Sequence, residues 1–220
     1  MKTTDLNIKN IIFDLGGVIL GIDEQLTFNE LKKVGFSEME LLQSPEVFNL
    51  LCNFDSGIYT AKTFRKKLKA ALNISKMTDE KFDSIWTAML LDISGETIEA
   101  IEKVKKHYKI FLGSNADEIH YDLYVRDLQL RFGYQEFDEL FNKAYFSFDI
   151  HLIKPDPRFF EFILDHEGLN PEETLFIDDT AENIEAAQKL GIKTYHIRRD
   201  ELVRNLFNNG LLKEDVVLKL

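Results

Sequence analysis

Apolar and polar positions alternate along this chain in two distinct ways. Near the N-terminus, Ile8, Ile11, Ile12 and Phe13 form a β-branched, nearly continuous apolar run, which is typical of a strand buried on both faces. From residue 94 onward, similar runs alternate with helical patterns, and this alternation predicts a parallel sheet flanked by helices. The later strands are predicted at 109–113, 144–147, 174–177 and 193–197.

The intervening segment 21–92 has a helical pattern, in which we predict four or five short amphipathic helices and no strand. Ser44-Pro45, Thr60 and Thr78 are residue types that begin helices. Residues 37–40 (Ser-Glu-Met-Glu) have the form of a capping box, which also indicates a helix start. A helical block of this size, placed directly after the first strand, predicts a separate subdomain over the edge of the sheet.

These patterns together predict an α/β fold with two parts. Residues 1–20 and 93–220 are expected to form a doubly wound parallel sheet of the Rossmann-like kind. Residues 21–92 are expected to form an inserted all-helical cap subdomain. The tail, 201–220, is predicted to be helix that packs on the core.

Composition narrows the classes of function. The formal net charge of −11 argues against nucleic acid or an anionic membrane as the main partner, because both require a basic face. The single cysteine, Cys52, cannot form a disulfide framework, and a reducing compartment fits it. The sequence shows no signal peptide and no apolar run long enough to span a membrane. We therefore expect a soluble, cytoplasmic protein, either a monomer or a homodimer.

Polar residues follow three of the predicted strands: Asp14, Ser114-Asn115 and Asp178-Asp179. The carboxyl ends of parallel strands lie side by side, so residues far apart in sequence converge on one crevice. Carboxylates that meet there repel one another unless a divalent cation lies between them, and oxygen ligands alone favour Mg²⁺. Each of these residues, taken singly, is at least as typical of a capped turn. Their common position makes Asp14 a candidate nucleophile and the acid pair a candidate metal site.

The segment Lys154-Pro155-Asp156 supplies the missing positive charge. Asp156-Pro157 has the form of a helix start, and Lys154 lies just before it. A lysine held there can reach the same crevice and neutralise a phosphate. Ser114 and Asn115 are candidate hydrogen-bond donors to phosphoryl oxygens. A lone lysine is more often a solvated surface residue, so the ordered set of residues carries the argument.

That ordered set forms four short motifs, which resemble those of the haloacid dehalogenase superfamily in order and spacing. The helical block after the first motif is similar to the first type of cap in that superfamily. Within it, the chain looks most like bacterial phosphatases of the alpha-D-glucose-1-phosphate phosphatase type. The motifs are Phe13-Asp14-Leu15-Gly16-Gly17-Val18, Ser114-Asn115, Lys154-Pro155-Asp156, and Phe176-Ile177-Asp178-Asp179 with Asn183.

The resemblance implies a Mg²⁺-dependent phosphatase for a small phosphorylated metabolite, with a sugar phosphate as the favoured substrate. Asp14 would attack phosphorus to give an aspartyl-phosphate, which water then hydrolyses. Asp55-Ser56-Gly57 of the cap would meet the leaving group. The residues implied for the other roles are Lys154 as a catalytic and phosphate-binding group, Leu15, Gly16, Ser114 and Asn115 for phosphate, Asp14, Gly16, Asp178 and Asp179 for the metal, and Asn183 to orient the acid pair.

Gly16 departs from the pattern of the superfamily. Most of its phosphatases have a second aspartate two residues after the nucleophile, which protonates the leaving group. General acid help contributes about 10²–10⁴-fold to a rate. A leaving group that departs without protonation, such as the anomeric oxygen of a sugar 1-phosphate, needs it less. Water, Asp23 and His120 are candidate substitutes, and His120 is equally compatible with a helix surface.

Three alternatives fit parts of the pattern. Metal-free 2-haloacid dehalogenases also lack the second aspartate, but Asp178-Asp179 argues against them because a metal-independent site has no reason to gather acids. A catalytically weak regulatory or binding protein would also explain Gly16. A receiver domain combines similar residue types, but its acid pair follows the first strand and it has no helical insertion of this size.

Overall fold

A computed structural model describes residues 7–36 and 43–219 of the chain. Five parallel strands form the central sheet in the order β5-β4-β1-β6-β7. This arrangement confirms the predicted doubly wound sheet, because the chain leaves β1 for β4 on one side and reaches β6 and β7 on the other. The five strands are β1 (Asn10–Phe13), β4 (Lys109–Ser114), β5 (Lys143–Phe146), β6 (Thr174–Asp178) and β7 (Lys193–His196).

Helices cover both faces of the sheet, and alternate residues of each strand point to opposite faces. On one face, Ile11 and Phe13 pack in a cluster with helices α5 (Gly95–Val104) and α6 (Glu118–Phe132). On the other face, Ile12 packs in a cluster with α9 (Pro157–Glu167) and α10 (Ala181–Lys189). The central strand β1 is therefore fully buried, which fixes the position of the residue that follows it. The remaining short helices of the core are α7 (Phe137–Leu140), α8 (Ser147–Ile150) and α11 (Glu214–Val217).

A separate apolar cluster lies in the helical block, which we define as helices α1 to α4, and includes Ile119 of α6 from the core. The aromatic rings of Phe54 and Phe64 stack in its centre with 3.9 Å between ring centroids. Ser44, Thr60 and Thr78 cap α2, α3 and α4 as their sequence predicts. The helices are α1 (Glu24–Lys33), α2 (Pro45–Asp55), α3 (Ala61–Ala71) and α4 (Asp79–Trp86).

The expectation that 21–92 contains no strand is wrong at its two ends. Strands β2 (Leu20–Ile22) and β3 (Leu90–Ile93) pair antiparallel where the chain enters and leaves the helical block. Both are too short to show a clear period of two in the sequence. The capping box predicted at 37–40 lies outside the described residues.

The prediction of a helical tail is also wrong for most of 201–219. A short hairpin forms there from β8 (Phe207–Asn208) and β9 (Leu211–Leu212), and only one short helix follows. Asn209 and Gly210, at the turn, both have positive φ angles of 51° and 86°, the conformation that an Asn-Gly hairpin turn requires. Among the residues that the structure describes, no helix has the length and apolar character needed to cross a membrane.

Candidate active site

Three neighbouring strands of the sheet end at the same edge and carry the predicted site residues. Asp14 directly follows β1, the central strand, and its backbone N–H donates to the carbonyl of Ile177 (2.9 Å). Ser114 ends β4 on one side of β1, and Asp178 ends β6 on the other. The parallel register therefore brings residues from three distant parts of the sequence to one crevice.

A buried lysine links two of the acids. The Lys154 ammonium lies 2.7 Å from an oxygen of Asp14 and 2.7 Å from an oxygen of Asp178. Burial opposes its charge, but the two carboxylates raise the pKa of Lys154 above its usual range. Burial, opposed by Lys154 and assisted by the charge of Asp178, raises the pKa of Asp14 to about 6. The pair of acids thus depends on a cation for its charge balance.

Asp178 and Asp179 differ in how the protein holds them. Asp178 is fully buried and accepts hydrogen bonds from the Thr180 backbone N–H (2.8 Å) and the Asn183 amide (3.0 Å). Asp179 is half-buried and faces the cavity, and burial followed by the charge of Asp178 raises its pKa. Asn183 therefore holds the Asp178 carboxylate, whereas its expected role in orienting both acids toward a metal stays a prediction.

The three carboxylates form a candidate cation site. One oxygen from each of Asp14, Asp178 and Asp179 lies within 4.8 Å of the others. The donors are oxygens alone, and the pKa values of Asp14 and Asp179 are raised, so the group gains from a positive charge. This donor set fits a hard divalent cation such as Mg²⁺.

The side chain of Asn115 has a role that sequence reasoning missed. Its carbonyl oxygen accepts from the backbone N–H of Lys154 (2.8 Å), and its amide donates to the carbonyl of Lys154 (2.8 Å). This two-point contact fixes the loop that presents the lysine. The expected donation from Asn115 to a phosphoryl oxygen stays a prediction, since the amide has a second N–H and Asn115 lines the cavity. Ser114 is buried and lines the cavity, and its hydroxyl donates a long hydrogen bond to the carbonyl of Asn115 (3.3 Å).

Two glycines after β1 allow a close approach of backbone to the acids. A Cβ on Gly17, whose φ is +75°, would lie 2.3 Å from an oxygen of Asp179. Glycine adopts this conformation without strain, whereas any side chain at this position would displace the Asp179 carboxylate. A Cβ on Gly16 would lie 2.5 Å from the terminal methyl of Ile22. Leu15 is fully buried in the core and contributes only its backbone to this edge.

A cavity of about 610 Å³ opens above these residues, between the core and the start of the helical block. Asp14, Asp179 and Lys154 form its floor, and its upper wall comes from α1 and from strands β2 and β3. Tyr124 and Arg199 line it as well, although neither is part of a predicted motif. The predicted residues that line it are Asp14, Gly16, Asp23, Ser114, Asn115, Lys154, Asp179 and Asn183.

Two sequence-based expectations about this cavity are not met. Asp55-Ser56-Gly57 does not line it but packs on the core elsewhere, where the Ser147 hydroxyl donates to the carbonyl of Asp55 (2.6 Å). His120 is neither in the cavity nor on a helix surface. Its side chain is only 11% exposed and lies beside Asp117. Of the candidate substitutes for the general acid, only Asp23 reaches the cavity wall.

Comparison with known proteins identifies the family of the chain. The family model for haloacid dehalogenase-like hydrolases matches residues 8–191. D-ribitol-5-phosphate phosphatase from Bacteroides thetaiotaomicron is 27% identical over 189 residues, which are 86% of this chain and 91% of the relative.

Solved structures extend the comparison to the fold. A haloacid dehalogenase family enzyme from Bacteroides thetaiotaomicron, solved with magnesium and inorganic phosphate, superposes with a TM-score of 0.82 at 30% identity and covers 91% of this chain and 100% of that chain. L-2-haloacid dehalogenase from Xanthobacter autotrophicus shares only the fold, with a TM-score of 0.55 at 16% identity over 85% of this chain and 76% of that one. On its motifs, its fold and the match over most of its length, the chain belongs to the haloacid dehalogenase-like hydrolase family.

Proposed function

We propose that this hydrolase is a Mg²⁺-dependent phosphatase that acts on a small phosphorylated metabolite, a sugar or polyol phosphate, through an aspartyl-phosphate on Asp14. One observation carries the proposal: Lys154 lies 2.7 Å from both Asp14 and Asp178 at the floor of the cavity, within a cluster of three acids. The magnesium and phosphate bound to a relative that is 30% identical support the same chemistry.

Asp14 is held in a geometry suited to nucleophilic attack. One carboxylate oxygen accepts from Lys154, which leaves the other oxygen for the reacting phosphorus. In the first step the Asp14 oxygen forms a bond to phosphorus, the bond from phosphorus to the leaving oxygen breaks, and its electron pair stays on that oxygen. In the second step water attacks phosphorus and frees Asp14.

The remaining charges are arranged to receive a phosphoryl group. Lys154 would neutralise part of its charge, and the Ser114 hydroxyl and the backbone N–H groups of Leu15 and Gly16 would donate to its oxygens. Lys154, Ser114 and Gly16 line the cavity, which supports this assignment. Asp14, Asp178, Asp179 and the Gly16 carbonyl would hold Mg²⁺, with Asn183 as support. When bound, the metal supplies charge compensation between the acids and the phosphate.

The walls of the cavity favour a hydroxylated leaving group. Asp23, Glu24 and Gln25, from the start of α1, line its upper wall, and Arg199 lines it from the core. These side chains offer acceptors and donors that match hydroxyl groups, whereas a long apolar chain would leave them unpaired. The name of the ribitol-phosphate phosphatase that the chain resembles points to the same class.

Gly16 restricts the chemistry of the leaving oxygen. No carboxylic acid stands at that position to protonate it. Burial together with nearby Asp117 and Asp14 raises the pKa of the Tyr124 hydroxyl, which also lines the cavity. Protonation would then come from water or from Asp23. We expect the best substrates to be those whose leaving oxygen is weakly basic.

The test is phosphate release from a panel of sugar, polyol and aryl phosphates with and without Mg²⁺. We expect turnover that requires Mg²⁺, and its loss in Asp14→Asn. Asp127→Asn, which changes an acid paired with Arg131 on the surface, is the matched control and should keep full activity. Release by Asp14→Asn at the parent rate would contradict the assigned nucleophile.

The same experiment separates the alternatives. Chloride release from 2-haloacids without metal would support a dehalogenase, although such an enzyme gains nothing from three clustered carboxylates. Binding of Mg²⁺ and phosphate without turnover of any substrate would support a regulatory protein instead.

A further inference from the structure

A polar cluster around the buried Asp117 joins the helical block to the core at the N-terminal end of α6. It consists of Trp86 at the end of α4, and Asp117 and His120 at the start of α6. The Trp86 indole N–H donates to one oxygen of Asp117 (3.0 Å), and the His120 Nδ1 lies 2.8 Å from the same oxygen. We call these three residues the docking cluster.

The partners of His120 fix its charge state. Nδ1 faces the Asp117 carboxylate and Nε2 lies 3.2 Å from the carbonyl of Trp86. Both partners only accept hydrogen bonds, so both ring nitrogens must donate, which makes His120 an imidazolium. Although burial opposes that charge, Asp117 raises the pKa of His120. Trp86 is therefore held twice, through its indole N–H and through its carbonyl.

Asp117 has a further function in the core that can be separated from the cluster. Its second oxygen caps α6, where it accepts from the backbone N–H groups of Ile119 (2.9 Å) and His120 (2.9 Å). The oxygen that faces Trp86 takes no part in this cap. A substitution can therefore remove the contact across the boundary and keep the start of the helix.

The docking cluster is linked to the cavity as well as to the helical block. The rings of Trp86 and His120 stack with 5.6 Å between centroids, and those of His120 and Tyr124 with 6.2 Å. Tyr124 lines the cavity. Asp117 lies two residues after Asn115, whose side chain holds the backbone of Lys154. The position of the helical block is thus tied to the residues around the reacting group.

Neighbouring contacts act across the same boundary. The Glu118 carboxylate accepts from the backbone N–H of Ala61 at the start of α3 (2.6 Å), and the Ser147 hydroxyl donates to the carbonyl of Asp55 (2.6 Å). Covalent connection between the two parts runs only through the segments of β2 and β3. The cluster is therefore part of a second, non-covalent attachment.

We propose that Trp86, Asp117 and His120 are positioning residues that hold the helical block, as a cap, in its closed position over the cavity. The expected effect on substrate affinity rests on the proposed function, whereas the expected effect on the position of the cap does not. When the contact is broken, the cap opens more often, and a substrate must supply the energy that recloses it. The apparent affinity then falls in proportion to the closed fraction, while saturating substrate restores closure.

The test uses Asp117→Asn, which puts an amide donor opposite two other donors and keeps the oxygen that caps α6. Asp83→Asn is the matched control, because it breaks the pair with Arg65 (2.6 Å) inside the helical block and leaves the boundary intact. Trp86 is the single tryptophan of the chain, so quenching of its fluorescence by acrylamide reports exposure at the boundary. The assay needs no turnover, so it decides the inference even if the protein releases no phosphate.

We expect stronger quenching of Trp86 in Asp117→Asn than in the parent, and no change in Asp83→Asn. With a sugar phosphate that the parent hydrolyses, KM should rise on the order of tenfold in Asp117→Asn with little change in kcat, since a charge-assisted hydrogen bond is lost. Unchanged quenching, or an equal rise of KM in both variants, would overturn the inference.

Trp86→Phe keeps an aromatic ring beside His120 and removes the indole N–H together with the pyrrole part of the indole. This variant provides the test if Asp117→Asn does not fold. Limited proteolysis then replaces fluorescence. Faster cleavage within 43–89 than in the parent supports the inference, and cleavage at the parent rate contradicts it.

Discussion

Replacing Lys154 with methionine tests the charge balance on which the site depends. Methionine has a similar volume but no charge, so the buried carboxylates of Asp14 and Asp178 lose the ammonium that lies 2.7 Å from each. Removal of one partner of a buried ion pair costs about 3–5 kcal/mol, because an uncompensated charge remains. We expect Lys154→Met to lose about that much free energy of unfolding at pH 8 without Mg²⁺, measured by urea denaturation.

The pH dependence of that loss has a defined sign. Burial already raises the pKa of Asp14 to about 6 despite Lys154, and loss of the lysine raises it further. A folded-state pKa above the unfolded one means that the folded protein binds more protons, so stability increases as the pH falls. The deficit of Lys154→Met relative to the parent should therefore shrink between pH 8 and pH 5.

Lys69→Met is the control for the loss of a buried lysine whose acidic partner is exposed to water. Lys69 is also buried, but its partner Asp79 has a side chain that is 55% exposed, so water replaces the lost contact and the cost is about 1 kcal/mol. If Lys154→Met is no less stable than Lys69→Met at pH 8, the two acids do not need the lysine, and the electrostatic account of the site is refuted.

Three further substitutions give independent checks. Gly17→Ala should weaken Mg²⁺ binding, measured by calorimetry, without unfolding the protein, because its Cβ would lie 2.3 Å from an oxygen of Asp179. Unchanged affinity would contradict the assignment of Asp179 as a metal ligand. Gly16→Asp should raise kcat for alkyl phosphates on the order of 100-fold, because it adds a general acid, and should change kcat for aryl phosphates little. Asp55→Asn should stabilise the protein at pH 8 by about 2 kcal/mol but not at pH 4, since burial and Asp117 raise the pKa of Asp55 to about 7. Equal stability of variant and parent at both pH values would contradict that placement of Asp55.

Local patterns in the sequence are sufficient for much of the fold. Ser44, Thr60 and Thr78 cap helices as predicted because the capping hydrogen bond involves residues only three positions apart. The central strands were predictable because they are buried on both faces and so are continuously apolar. Strands β2 and β3 are too short to show a clear alternation in the sequence. The hairpin in the tail has strands of two residues each, and its local signal is the turn pair Asn209-Gly210.

The order of the strands brings the site residues together, whereas tertiary contacts determine the positions of individual side chains. Asp14 and Asp178 meet because parallel strands end at one edge. The contact of Asn115 with Lys154 joins residues 39 positions apart, and no local pattern encodes it. Arg199 lies in the cavity for the same kind of reason, since it follows β7 at the same edge of the sheet.

The central claim is that Asp14 carries the phosphoryl group during turnover. Acid quenching of the enzyme during hydrolysis of a radiolabelled sugar phosphate, followed by peptide mapping, tests it most directly. The account predicts label on the peptide that contains Asp14 in the parent and none in Asp14→Asn. Steady release of phosphate from a chain that never carries label, or label on another residue, would contradict it.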